Sequence, residues 1–271
     1  MTRDRWLATH PYLQPLADLR AAVDSVMAEV VIVRADIPSW NEYTDDFHSG
    51  VPLLHSSAIT VDLESVGASL VALAQGLSLR ALPGSLAEEC RAFHSELLST
   101  PDAPRHALHR LLDKGITVSE PQALLQYLGW SVLARYLHPV VGAFNCWRDE
   151  ERWLRNYCPT CGASPAMAQL AGTEPGRLRM LSCGRCETRW RYRRTACPFC
   201  ENIDNHKLAV LAVEGQSGLR IDYCEECRGY IKTYNGEGSE RILLADWTSI
   251  HLDVVARDRG LKRFARSFYD L

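Results

Sequence analysis

Four Cys-x-x-Cys pairs, Cys158/Cys161, Cys183/Cys186, Cys197/Cys200 and Cys224/Cys227, use eight of the ten cysteines in this chain. Two residues between ligands let a tight turn aim both sulfurs at one ion, so four pairs predict two tetrahedral all-sulfur metal sites. Between Cys161 and Cys183 lie 21 residues (162 to 182), and between Cys200 and Cys224 lie 23 (201 to 223). Both gaps are close to the roughly 15–20 residues of a four-cysteine ribbon, and each can hold two strands that return the second turn to the first. The expected grouping is therefore consecutive: Cys158, Cys161, Cys183 and Cys186 on one ion, Cys197, Cys200, Cys224 and Cys227 on the other. A crossed scheme, first pair with third and second with fourth, competes but closes longer loops. Gly162 follows the second Cys of its pair, where a positive φ would let backbone amides approach the sulfurs, and Pro159 and Pro198 suit the same turns. Four thiolates around a divalent ion leave a local charge near −2, with Arg185, Arg189 and Arg228 as candidates to offset it.

A four-sulfur site is saturated and lacks the open position at which a catalytic zinc activates water. Zinc and mononuclear iron both accept tetrahedral sulfur, so the ion is expected to be Fe or Zn with its identity open. The nine histidines form no catalytic constellation; His94, His106 and His138 read as surface or core residues, and His206 and His251 are substitutes only if a cysteine does not ligate. A Gly-rich phosphate loop, a Gly-x-Ser-x-Gly elbow and a His-Glu-x-x-His helix are all lacking. The expectation is a protein that is not an enzyme and takes no small-molecule substrate.

These turns need a scaffold, and the apolar spacing changes at Cys158. Before it, Leu16, Leu19, Val23, Val26, Val30 and Val33 recur at steps of three and four, predicting one long helix. Leu63, Val66, Leu70, Leu73 and Leu77 predict a second, and Leu86, Cys90, Phe93 and Leu97 a third, with Cys90 a small core residue. Ser119, Pro121 and Gln122 have capping spacing before another helix through Leu124, Leu128 and Val132, which Pro139 should kink or end. Residues 37–57 read as a long loop. From Tyr157 the period shortens to two: Leu178/Met180, Trp190/Tyr192 and Leu219/Ile221/Tyr223 alternate with charged residues as short strands. The stretch from Leu244 to Phe268 reads as helix again. The fold class is α+β multidomain: a helical domain over 1–152, a first four-cysteine ribbon module over 153–194, and over 195–271 a second with a carboxy-terminal helix.

With 271 residues, 46% of them hydrophobic, the chain can bury a substantial core, and its net charge of −3 does not suggest a general polyanion binder. The start, MTRDRWLATHPYL, carries early charges and no apolar run, so neither a signal peptide nor membrane insertion is expected, and the location is read as cytoplasmic. In a reducing compartment paired thiols serve as ligands rather than disulfides.

The cysteine motifs in order, Tyr157-Cys-Pro-Thr-Cys-Gly with Ser164-Pro165, Leu181-Ser-Cys-Gly-Arg-Cys-Glu-Thr-Arg-Trp190, Arg194 leading to Cys197-Pro-Phe-Cys-Glu201, and Tyr223-Cys-Glu-Glu-Cys-Arg-Gly-Tyr-Ile-Lys232, resemble the formate dehydrogenase accessory protein family, FdhE. His10-Pro11 and Leu252-Asp253 also resemble family positions, whereas Ala245-Asp246-Trp247 departs from the consecutive acidic residues usual there. The resemblance implies a helical amino-terminal domain followed by two rubredoxin-like, zinc-ribbon-like modules. It also implies a cytoplasmic assembly factor that acts, before export, on the molybdenum- or tungsten-containing catalytic subunit of formate dehydrogenase.

Two other functions compete. Seven arginines lie between Arg177 and Arg194, interleaved with Trp190 and Tyr192. Such a patch could hold nucleic-acid phosphates as some zinc ribbons do, or dock an acidic protein through Arg189, Arg191 and Arg193; overall acidity and the family resemblance disfavour nucleic acid. With iron bound, a rubredoxin-like redox protein acting on the same enzyme is the other alternative.

Overall fold

The computed structural model describes residues 2–112, 123–173, 176–214, 218–236, 245–265 and 267. Its helices are α1 (Arg3–Thr9), α2 (Gln14–Glu29), α3 (Trp40–Ser49), α4 (Leu63–Ser78), α5 (Leu86–Leu97), α6 (Ala103–Leu112), α7 (Ala123–Trp147) and α8 (Ile250–Asp258). The strands are β1 (Pro165–Ala171), β2 (Leu178–Cys183), β3 (Arg189–Tyr192), β4 (Leu208–Ala212), β5 (Leu219–Cys224) and β6 (Tyr230–Tyr234). Two compact units emerge: one takes Trp6–Pro38 and Ile59–Phe144, the other Ser39–Ala58 and Asn145–Ser267 together with the first residues.

In the helical unit α4 packs against α2, α5 and α6. The 3.6-residue period explains the contact: Val66, Leu70, Leu73 and Leu77 lie on one stripe of α4 and are at most 1% exposed. Asp62 starts that helix by accepting from the amides of Glu64 and Ser65, each at 3.1 Å. Cys90 is buried with Phe93 and Leu97 on α5, and burial pushes its thiol up to about 11. The first expected helix overshoots. α2 ends at Glu29 and the chain turns extended at Val30, because the run Val30-Val31-Ile32-Val33 is β-branched throughout. The extended stretch is then held by α7, where the Tyr136 carbonyl accepts from the Ala35 amide at 3.0 Å.

Pro139 does not end its helix; α7 runs through it to Trp147. Leu133, Tyr136, Leu137, Val140 and Phe144 are all buried around the proline, and that packing offsets the missing hydrogen bond. The capping residues Ser119, Pro121 and Gln122 lie outside the described residues.

The other unit is built on a six-stranded sheet with order β3-β2-β1-β6-β5-β4. Each ribbon supplies an antiparallel set of three strands, and the two sets join through β1 and β6, which pair in parallel from Met167↔Lys232 to Gln169↔Tyr234. The modules thus share one sheet. α3 belongs to this unit and corrects the expectation of a loop over residues 37–57. Trp40, Tyr43 and Phe47 have helical spacing, and Gly50 closes the helix in the left-handed region at φ 83. Trp40 stacks on Trp147 at 5.2 Å between ring centroids and Phe47 on Trp153 at 5.4 Å, so the helix is fixed by aromatic burial. The carboxy-terminal stretch is also less helical than expected. A short turn over Asp246–Ser249 leads into α8, Gly260 ends that helix at φ 67, and Lys262 then bridges to Gly229. Leu244 and Phe268 lie outside the described residues.

Candidate metal centres

The structure groups the cysteines consecutively. The sulfurs of Cys158, Cys161, Cys183 and Cys186 lie within 4.8 Å of one another, as do those of Cys197, Cys200, Cys224 and Cys227. None of the eight is joined in a disulfide. In the first cluster Cys158–Cys186 and Cys161–Cys183 are 3.5 Å apart and Cys161–Cys186 3.6 Å. In the second, Cys197–Cys227 is 3.7 Å and Cys200–Cys224 3.8 Å. A tetrahedron with metal–sulfur bonds near 2.3 Å has edges of about 3.8 Å, so both sets fit an ion such as zinc or iron.

All four turns repeat one geometry. The amide of each first cysteine bonds the carbonyl five residues on: Cys158 to Ala163, Cys183 to Thr188, Cys197 to Asn202 and Cys224 to Gly229, at 2.8–2.9 Å. The residue after each second cysteine takes positive φ, namely Gly162 (74), Glu187 (61), Glu201 (59) and Arg228 (60). At Gly162 a side chain would also collide with His55, whose Cε1 lies 2.8 Å from the position of a Cβ. The other three accept a conformation that glycine adopts freely, as expected where four ligands over-determine the turn.

Amides of Arg185, Phe199 and Gly229 donate to the sulfurs of Cys183, Cys197 and Cys227 at 3.3, 3.4 and 3.3 Å, and Asn202 Nδ2 reaches Cys224 at 3.7 Å. Burial pushes the Cys158 thiol well above the ordinary range. Burial acts the same way on Cys183, but hydrogen bonds from its three neighbouring cysteines outweigh it and hold that thiol well below. Two arginines expected near the sulfurs have other partners: Arg189 donates to Gln169 Oε1, and Arg228 to the Arg259 carbonyl at 2.6 Å.

The two surroundings differ. Every cysteine of the first cluster is buried, whereas Cys200 is exposed and Cys227 half-buried in the second. Beneath the first, the Pro159 and Thr160 carbonyls accept from the Leu53 and Leu54 amides at 2.9 and 2.8 Å, and Tyr157 Oη donates to the Gly50 carbonyl at 2.8 Å. Thr160 and Thr188 share a buried hydroxyl bond of 2.7 Å beside Cys186.

The arginine patch is mostly committed within the chain. Arg177 donates to Asn235, Arg191 to Glu151, and buried Arg179 to the Ala196 carbonyl and, at 3.5 Å, to Asp222. Arg193 and Arg194 are exposed. His206 and His251 belong to neither cluster.

Sequence reasoning missed a buried ionic square. Lys232 Nζ on β6 lies 2.7 Å from both Asp246 and Asp253, and Arg263 lies 2.6 and 2.7 Å from the same carboxylates. Tyr230 Oη donates to Asp253 and Ser267 Oγ to Asp246, each at 2.8 Å. Lys232 sits at a core position of its strand yet carries a charge, a mismatch that could have flagged it.

Comparison with known proteins completes the picture. The family model for the FdhE central domain matches residues 157–194. The chain is 31% identical over 211 residues to an FdhE homologue of Stutzerimonas stutzeri, covering 73% of this chain and 65% of that one. The chain is similar to the FdhE family. FdhE homologues of Aquifex aeolicus and Pseudomonas aeruginosa are 33% and 34% identical over 141 and 158 residues, covering 50% and 53% of this chain and 50% and 48% of theirs. The chain thus spans about half the length of those two FdhE relatives. The crystal structure of the Pseudomonas aeruginosa FdhE protein has the same fold, with a TM-score of 0.61 at 21% identity over 94% of this chain and 87% of that one. A helical region and a ribbon-like sheet with two four-cysteine clusters compatible with metal binding therefore describe this chain.

Proposed function

We propose that this chain is a non-catalytic maturation factor of the FdhE kind that binds the catalytic subunit of formate dehydrogenase in the cytoplasm, through a surface held in shape by two metal ions, each bound by four cysteines. The observation that carries this reading is the pair of four-sulfur clusters on one sheet: a divalent ion in each would cross-link the turn before the first strand of its ribbon to the turn between the second and third. Cys158, Cys161, Cys183 and Cys186 would hold one ion, and Cys197, Cys200, Cys224 and Cys227 the other. The sulfurs fill each coordination shell, which favours a structural role over hydrolysis. The internal bonds of Arg189 and Arg191 weaken the nucleic-acid reading and leave Arg193 the most available of the three for a protein partner. Among the described residues no helix is long and apolar enough to cross a membrane.

Association of the anaerobically purified chain with the purified catalytic subunit tests this. Wild type is expected to bind, and Cys158→Ser or Cys197→Ser to lose binding together with one equivalent of metal. Undiminished binding by a chain with both sites emptied would refute the reading.

A further inference from the structure

The sheet has two edges, β3 and β4, and only one is closed among the described residues. On β3 the outward amide of Arg191 donates to Glu150 Oε2 at 3.1 Å, and the outward carbonyl of Arg189 accepts from Arg148, itself buried. A charged clip thus caps that edge, as proteins do to prevent unwanted strand pairing.

β4 has no such clip. The Glu225 amide bonds the Lys207 carbonyl at 2.8 Å, which makes Lys207↔Glu225 a hydrogen-bonded pair of the antiparallel ladder. The alternation then turns the backbone amides and carbonyls of Leu208, Val210 and Ala212 outward. The Leu208 amide is taken by the Asn205 carbonyl, whereas no hydrogen bond to the Leu208 carbonyl or to the outward groups of Val210 and Ala212 occurs among the described residues. The strand reads Leu-Ala-Val-Leu-Ala without a charge, and Val210 is 53% exposed. Beside it opens a pocket of about 110 Å³ lined by Leu208, Val210, Phe199, Arg179, Arg194 and Arg220, with Asp222 as its one acidic residue. Asp222 pairs with Arg220 at 2.8 Å and with Arg179 at 3.5 Å, and Cys197 and Cys224 of the second cluster also line the pocket, so the positive charge left beside the open backbone groups is that of the exposed Arg194.

We infer that β4 and this pocket receive an extended segment of the partner, added as a seventh strand, with an acidic side chain seated against Arg194. Strand addition supplies main-chain hydrogen bonds along an edge, and side-chain pockets beside it supply specificity. The apolar outward face selects aliphatic neighbours for that acid, and Arg194 selects its charge. The inference rests on the proposed association with the formate dehydrogenase catalytic subunit and places it on one edge of the sheet.

The test uses the full, metal-loaded chain and the purified catalytic subunit. Val210→Pro removes an outward amide that β5 does not use, and Val210→Lys places a charge on the edge without changing the backbone; either is expected to weaken binding at least tenfold with metal content unchanged. Arg194→Glu, at an exposed position, should do the same, and Arg194→Gln less. In the wild-type complex the amides of Val210 and Ala212 should exchange with deuterium at least tenfold more slowly than in the free chain. If wild type binds the subunit and these variants bind equally well, the edge is not the docking site while the proposed function stands. If wild type does not bind, the proposed function fails and the inference with it. A dimer of the free chain that Val210→Lys converts to monomer, with partner binding intact, would instead assign the edge to a second copy.

Discussion

The two cysteine clusters use the same turn geometry, two turns each, but are embedded differently. The first is sunk into packed protein, with the turn of Pro159 and Thr160 bonded to Leu53 and Leu54, and Trp190 Nε1 donating to the Arg155 carbonyl at 3.0 Å nearby. The second shows Cys200 to solvent and has the Phe199–Phe264 ring pair at 5.1 Å for a neighbour. Its strand β6 is fastened by the Lys232, Asp246, Asp253 and Arg263 square. Identical ligand sets can therefore belong to a rigid, inaccessible site and to an accessible one, because the surrounding packing governs how easily an ion enters or leaves.

Removing metal should break this comparison most severely. Structural zinc supplies an apparent free energy of about 10–16 kcal/mol, so a verified apo protein is expected to lose proteolytic resistance over residues 157–235 before the helical unit does. A chelator should take the ion of the exposed Cys200 cluster first, giving two kinetic phases by metal-release absorbance. Removing the second cluster's ion alone by Cys200→Ser should merge them into one.

Lys232→Met comes next. It leaves two buried carboxylates with a single arginine, and breaking such a pair costs about 3–5 kcal/mol, to be read from denaturant unfolding. The double variant Lys232→Met, Asp253→Leu should recover part of that loss if charge, rather than shape, is what fails.

Acid should act on the same square. Burial by itself would raise the Asp246 pKa, but the charges of Lys232 and Arg263 outweigh it and hold that carboxyl well below the usual range. A group depressed in the folded state contributes its stability in full above its unfolded pKa, near 4, and loses it as pH falls toward the folded value. Denaturation midpoints should therefore fall steadily below pH 4, and Asp246→Asn should flatten that dependence.

The smallest effect sharpens the likeness of the turns. Glu187→Gly and Glu201→Gly each replace a left-handed side-chain residue at the position Gly162 occupies in the first turn. Each should leave metal binding intact and raise stability by at most about 1 kcal/mol by thermal melting.

Much of this was legible in residue spacing. The Cys-x-x-Cys pairs named the clusters, and the gaps between them foretold the hairpins β1–β2 and β4–β5, since a local loop must close on its own ligands. Period-two alternation found β2, β3 and β5. It did not find β1, buried almost throughout, because a strand covered on both faces does not alternate. α3 went unread although Trp40, Tyr43 and Phe47 are helically spaced, since its stability comes from Trp147 and Trp153, far along the chain.

The sequence by itself determined which sulfurs are candidate ligands and favoured the consecutive grouping, because short loops close locally; the structure set that grouping over the crossed one. The tertiary structure alone decided that two ribbons fuse through β1 and β6, that Lys232 is buried against Asp246 and Asp253, and that β3 is capped while β4 stays open. Those outcomes depend on pairings between distant segments, whose free energies arise from burial and geometry that no local pattern encodes.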